Sequence, residues 1–127
     1  MNKGPITKDE PKRINALHTY DILDTEQEAD FDRITQIASL VCGTSISLIS
    51  LIDSNRQWFK SKVGIDLNET TRDLSFCQYA IADNHLMEVK DAQNDDRFKD
   101  NQLVTSSPHI RYYAGMPLID PNGYALG

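Results

Sequence analysis

The two cysteines carry the strongest intrinsic chemistry in this sequence. Cys77 lies in the motif LSFCQYAI, where we predict the first turn of a short helix. Backbone N–H groups at such a position favour a thiolate, although a small buried apolar residue is the simpler interpretation of Cys77. Cys42 continues an apolar helical pattern, so we expect it to pack in the core. The two thiols are not in CxxC spacing, which argues against a metal or redox pair.

Other arrangements that could do chemistry are incomplete. The three histidines have no partner at metal-ligand spacing. The segment beginning at Asp91 resembles a calcium loop at its first, third and fifth positions, but Asp96 replaces the required glycine and Gln102 the required glutamate. No glycine-rich phosphate loop is visible. We therefore expect no metal, no cofactor and no catalytic residue.

A third group of side chains suits the binding of a small molecule. From Phe76 to Tyr113 the chain makes one long excursion from the predicted sheet. This segment contains aromatic rings, an arginine and a cysteine. Apolar walls with a few polar groups are typical of a ligand pocket. Ordinary core packing has the same composition, and the sequence leaves both interpretations open.

Two helices precede this excursion. The first helix is predicted to begin at Asp9, with a proline in its first turn. Thr25 and Glu28 have the spacing of a capping box, which predicts the start of the second helix, and Gly43 fits its left-handed end. The second helix has an apolar stripe of helical period, formed by Phe31, Ile34, Ile37, Ala38 and Val41.

The strands that follow predict the fold class. SISLISLID, residues 45–53, is apolar on both faces, so we expect an inner strand that is covered on both sides. The returning strand QWFKSKVG alternates apolar and basic residues, which predicts a position near the sheet edge. Short strands then occur at LMEVKDA and HIRYYAGMPLID. Tight turns between adjacent strands make an antiparallel sheet, so the class is α+β.

Composition excludes several function classes. The 127 residues are most simply one domain. A net charge of -6 argues against binding to nucleic acid or to an anionic membrane, because both are polyanions. Apolar runs are too short to span a bilayer, and the N-terminus lacks the apolar region of a secretory signal. We expect a cytoplasmic location.

Five motifs together resemble a known family. FDRITQIASLV, SISLISLIDSNRQWFKS, TRDLSFCQYAI, VKDAQNDDRFKDNQLV and IRYYAGMPL occur in the order and spacing of GAF domains from bacterial signal-transduction proteins of the sensor histidine kinase or diguanylate cyclase type. The resemblance implies a central antiparallel sheet with helices on one face and a ligand cavity on the other. Gln78 follows Cys77 where bilin-binding members usually have histidine, and the cyclic-nucleotide signature is missing.

The resemblance also implies a function. It predicts a non-enzymatic sensory or regulatory module that couples a small-molecule ligand, or a dimer state, to an output domain. The alternatives are a ligand-free dimerisation spacer and a thiol (methionine sulfoxide) reductase acting through Cys77. A homodimer would form through the N-terminal helices or by strand exchange. The predicted ligand-binding residues are Phe76, Cys77, Asp91, Arg97, Phe98, Arg111 and Tyr113.

The family pattern predicts more chain than the sequence contains. In GAF domains the PNG turn leads into a strand that inserts between the first strand and the last one, and a closing helix follows. Here only residues 124–127 correspond to that strand, so we interpret 1–127 as a single GAF domain that is incomplete at its C-terminus. We expect the first and last strands to pair directly, or a second copy to fill the gap between them.

Overall fold

A computed structural model describes residues 4–127 and shows an α+β fold, as predicted. The helices are α1 (Glu10–Thr19), α2 (Ala29–Cys42), α3 (Cys77–Asp83) and α4 (Gln102–Thr105), with single 3-10 turns at Arg72–Leu74 and Ala92–Asn94. The strands are β1 (Ser47–Ile52), β2 (Arg56–Val63), β3 (Glu69–Thr71), β4 (Met87–Val89) and β5 (Tyr113–Gly115). None of the helices among residues 4–127 is long and apolar enough to cross a membrane.

The strands form two antiparallel sheets that residues 124–127 join. One sheet has the order β1-β2-β3 and the other is the pair β4-β5. The amide of Ile52, at the end of β1, donates to the carbonyl of Leu126 at 2.9 Å. The amide of Leu126 in turn donates to the carbonyl of Leu118 at 2.8 Å, in the chain that continues from β5.

Residues 124–127 lie where the sequence predicted a gap. We expected direct pairing of the first and last strands or insertion of a second copy. Direct pairing is wrong, because residues 124–127 lie between these two parts of the sheet, whereas insertion of a second copy stays a prediction. The PNG turn, with Gly123 at a φ of 89°, reverses the chain and returns these residues between β1 and Leu118. The backbone of Gly127 lies close to that of β1, because a Cβ atom at Gly127 would lie 1.9 Å from the carbonyl oxygen of Ser50.

The central strand β1 is covered on both faces, as predicted. On one face the buried Ile52 packs with Ile81 and Ala125. On the other face Leu51 packs with Leu17 of α1 and with Trp58. An inner strand of this kind needs apolar residues at successive positions, which is the pattern seen in the sequence.

The orientation of α2 differs from the prediction. Its buried residue is Thr35, whose hydroxyl lies 2.8 Å from that of Ser61 in β2, and Ser61 donates to Asp32 at 2.6 Å. The helix thus packs on the sheet through hydrogen bonds between polar side chains. The expected apolar contact is wrong for most of the predicted stripe, because Ile34, Ile37 and Val41 are exposed, whereas Phe31 and Ala38 are half-buried. The expected core position of Cys42 is also wrong, because Cys42 is exposed.

The start of α2 and the position of β2 are also corrected. Lys60 of β2 is buried, and its ammonium donates to the hydroxyl of Thr25 at 2.8 Å and to the carbonyl of Glu26 at 2.6 Å. It also pairs with Glu28 at 2.7 Å. Thr25 and Glu28 therefore hold Lys60, they form no capping box, and α2 begins at Ala29. β2 lies between β1 and β3 and is not an edge strand.

Candidate functional site

An aromatic cluster forms the core between α3 and the β4-β5 pair. Phe76, immediately before α3, stacks on Phe98 with ring centroids 4.0 Å apart and planes 6° apart. The ring of Tyr113 lies 5.2 Å from Phe76, and Tyr79 meets Phe98 edge-on at 5.0 Å. Apolar residues such as Met87 complete the cluster. Three of the predicted ligand-binding residues, Phe76, Phe98 and Tyr113, are therefore brought together.

Local hydrogen bonds place Phe98 in this cluster. The carboxylate of Asp95 accepts from the amide of Arg97 at 2.9 Å, and its carbonyl accepts from the amide of Phe98 at 3.0 Å. These bonds form a single turn that begins at Asp95. The turn directs the ring of Phe98 inward, where it is 1% exposed.

Cys77 joins the aromatic cluster to the central sheet. Its sulfur accepts hydrogen bonds from the hydroxyl of Ser50 in β1 at 3.3 Å and from that of Tyr113 in β5 at 3.2 Å. Burial raises the pKa of the Cys77 thiol above its usual value, and these two donors offset only part of the effect. Burial also raises the pKa of Tyr113. Both groups are therefore neutral at physiological pH, and the three side chains form a small polar centre in an apolar wall.

Arg97 covers the outer side of the cluster. Its guanidinium lies 5.0 Å from the ring centroid of Phe98 and 5.8 Å from that of Tyr79. The carboxylate of Asp95 holds it at 2.8 Å, and this partner raises the pKa of Arg97. A guanidinium fixed over aromatic faces interacts with their negative electrostatic potential. The side chain is 40% exposed, so it borders the cluster on the solvent side.

The two other predicted residues lie outside the cluster. Asp91 is exposed, and its carboxylate accepts from the amide of Gln93 at 3.1 Å and from the side chain of Asn94 at 2.7 Å. Arg111 is also exposed and donates to the carbonyls of Val104 and Ile110 at 3.0 and 3.1 Å. Both side chains fix loop backbone beside the cluster.

Sequence reasoning missed two members of the site. Ser50 contacts Cys77, and Tyr79 contacts both Phe98 and Arg97. For Ser50 the signal was its place two residues before Ile52 in β1, since residues two apart in a strand lie on the same face. For Tyr79 the signal was its place three residues after Phe76, since residues with this spacing are neighbours on a helix surface.

Surface grooves are found near α1, away from the aromatic cluster. One has a volume of about 450 Å³ and lies between α1 and the turn at 120–124, with Asn15, Tyr20 and Asp120 in its walls. A smaller one of about 190 Å³ lies at the end of α1, beside Leu17 and Asp21. Within residues 4–127 no three His, Cys, Asp or Glu side chains come together as metal ligands.

Comparison with known proteins identifies a matching family and a similar protein. The sequence model of the GAF domain family matches residues 26–127. A cyclic di-GMP phosphodiesterase from Pseudomonas aeruginosa is 40% identical over 127 residues, which is 100% of this chain and 22% of the relative. The chain thus spans less than a quarter of the length of that curated relative.

Proposed function

Because the chain belongs to the GAF domain family, we propose that it is a regulatory module that binds a small molecule and controls an output domain of a signalling protein. The domain itself is not the enzyme, and it works in the cytoplasm. The observation that carries the proposal is the cluster of Phe76, Phe98 and Tyr113 around the Cys77 thiol. Apolar walls with a few well-placed polar groups are the usual chemistry of a small-molecule site.

The geometry suggests how binding is transmitted. The rings of Phe76 and Tyr113 contact each other, so a ligand enters by separating them. Separation moves Tyr113 away from Cys77, to which β1 is also bonded through Ser50. The ligand therefore favours a state in which β5 has shifted relative to β1, and this difference in affinity is the source of the signal.

The kind of output domain is proposed from the similar protein of Pseudomonas aeruginosa. The sequence resemblance suggested a histidine kinase or a diguanylate cyclase. The Pseudomonas aeruginosa relative is a cyclic di-GMP phosphodiesterase, and we propose that this chain regulates a domain that acts on the same dinucleotide. The chain matches 22% of the relative, so the remaining length leaves room for a separate catalytic domain.

Native mass spectrometry of the chain, purified from bacterial lysate under mild conditions, tests for a ligand. We expect a small-molecule adduct that is lost in Phe98→Ala, because that change removes the ring stacked on Phe76. Tyr112→Ala, which removes an exposed aromatic ring outside the cluster, is the matched control and should keep the adduct. An adduct that persists in Phe98→Ala, or no adduct together with no thermal shift from a nucleotide and metabolite library, would contradict ligand binding.

A second candidate function is homodimerisation through α2. Ile37, Leu40 and Val41 are 60%, 82% and 79% exposed, whereas α2 contacts its own sheet through polar side chains. A contiguous exposed apolar patch of this kind marks an interaction site. Ile37, Leu40 and Val41 carry no charge, so contact between two copies through these three side chains would bury no charged group.

Sedimentation equilibrium over a dilution series tests the dimer. We expect the wild type to dimerise and Ile37→Glu to be monomeric, because the charge would be buried between the copies. Gln102→Glu adds the same charge at an exposed position in α4, outside the patch, and should leave the dimer intact. A monomeric wild type, or equal weakening by both variants, contradicts this interface.

A further inference from the structure

The helix α1 is fixed to two adjacent parts of the sheet by one buried arginine. The guanidinium of Arg13, 2% exposed, donates to the carbonyl of Ile52 at 2.7 Å and to the carbonyl of Ala125 at 3.2 Å. Ile52 ends β1, and Ala125 belongs to the segment at 124–127. One side chain thus spans the junction at which that segment enters the sheet.

An apolar contact one turn later spans the same junction. Leu17 is fully buried and packs with Leu51 of β1 and Trp58 of β2, and Leu126 packs against the same cluster. Arg13 and Leu17 are the two buried residues of α1, and their i,i+4 spacing puts them on one face of the helix. The inner face of α1 therefore covers the junction between β1 and 124–127.

A third contact fixes the start of α1. The carboxylate of Glu10 accepts from the guanidinium of Arg13 at 2.9 Å and also from that of Arg72. Arg72 donates in addition to the carbonyl of Asp53, just after β1. Ion pairs and hydrogen bonds to carbonyls thus provide much of the attachment of α1 to the sheet. This helix precedes residues 26–127, the region that matches the GAF family.

We propose that α1 is a strap that holds residues 124–127 in the sheet, so that docking of α1 and pairing of this segment are one coupled equilibrium. Release of α1 would leave the carbonyl of Ala125 without its donor and uncover Leu126. Coupling between two binding events is reciprocal, so loss of the segment would also loosen α1. The device needs no ligand in the aromatic cluster, and it links α1 directly to residues 124–127.

Amide hydrogen exchange of the 127-residue chain, followed residue by residue by NMR, tests the strap. The amides of Ile52, Leu118 and Leu126 report on pairing of the segment, because each donates within this junction. Arg13→Met keeps the apolar stem and removes the donors. We expect exchange of these three amides to accelerate about tenfold or more. The amide of Phe59, bonded to Asn68 on the far side of β2, should be unchanged.

The matched control is Arg33→Met, which removes an exposed guanidinium on α2 and should change none of these rates. The reciprocal variant Leu126→Ala should accelerate exchange of the α1 amides. If Arg13→Met does not fold, Glu10→Gln makes the same test with a smaller change. Unchanged rates at Ile52, Leu118 and Leu126, equal acceleration at Phe59, or loss of folding in both variants would overturn the strap.

Discussion

At the scale of single residues, Cys77 decides between a binding site and a thiol enzyme. A nucleophilic cysteine needs a lowered pKa and a second thiol to complete a redox cycle. Here burial raises the pKa of Cys77, and Cys42 is exposed on α2. The thiol of Cys77 instead accepts two hydrogen bonds that connect β1 to β5. These features argue against the methionine sulfoxide reductase alternative.

We therefore predict a large difference in reactivity between the two cysteines. At pH 8, iodoacetamide should modify Cys42 at least about tenfold faster than Cys77. The side chain of Cys42 is exposed, whereas burial raises the pKa of Cys77 and so disfavours its reactive thiolate. Mass mapping of alkylated peptides over time measures both rates in one sample. Modification of Cys77 as fast as Cys42, or turnover of a sulfoxide substrate that Cys77→Ala abolishes, would contradict the prediction.

The sequence identified part of the candidate site at this scale. Phe76, Cys77, Phe98 and Tyr113 converge, because the excursion that contains them must fold back onto one face of the sheet. Local hydrogen bonds decide which side chains between Phe76 and Tyr113 point inward, and sequence periodicity does not reveal these bonds. Asp91 is exposed for that reason, since it caps a 3-10 turn.

At the scale of elements, β1 and α2 show which patterns are informative. A strand with apolar residues at successive positions is expected to be buried on both faces, so β1 was predictable. The period of α2 was also correct, but an amphipathic helix can present either side to a sheet. The polar side of α2 faces the sheet, because the side chains of Thr35 and Asp32 form hydrogen bonds with Ser61 of β2. Likewise Lys60 is buried because partners on the α1–α2 connection satisfy its ammonium.

The two faces of β1 give an element-scale prediction. Leu51 and Ile52 are 4% and 0% exposed on opposite faces, so Leu51→Asp and Ile52→Asp should each destabilise the fold by several kcal/mol through a buried unpaired charge. That loss is comparable to the whole stability of a domain this size. Leu67→Asp, in an exposed loop, is the control. Urea unfolding followed by circular dichroism measures the difference, and a wild-type midpoint for either strand variant would mean that its face is not buried.

At the scale of the whole molecule, a few buried ionic contacts connect parts of the chain that are distant in sequence. Glu10 bonds to Arg13 and Arg72, and Arg13 reaches Ile52 and Ala125. The N-terminal helix, the central strand and residues 124–127 thereby form one unit. Sequence patterns did not reveal this unit, because an arginine on a short helix normally predicts a solvent-exposed position.

The network makes the stability of the fold depend on pH. Burial alone would raise the pKa of Glu10, but hydrogen bonds from Arg13 and Arg72 outweigh it and hold the pKa well below its usual value. A carboxyl group whose pKa is depressed in the folded state stabilises the fold above its unfolded pKa, near 4.5. That contribution is lost progressively as the pH falls below this value, because protonation then favours the unfolded chain.

Glu10→Gln should therefore lower the free energy of unfolding by about 2 kcal/mol at pH 7, where the ionised carboxylate accepts charge-assisted hydrogen bonds. The difference from wild type should shrink as the pH falls from 5 to 3. Urea titrations at each pH measure it, with Glu26→Gln as a control because that side chain is exposed. Other carboxylates, including Asp53, also have a lowered pKa, so both proteins still lose stability in acid. A Glu10→Gln deficit that stays constant from pH 7 to pH 3 would show that Glu10 does not act through its charge, and the ionic attachment of α1 would then be incorrect.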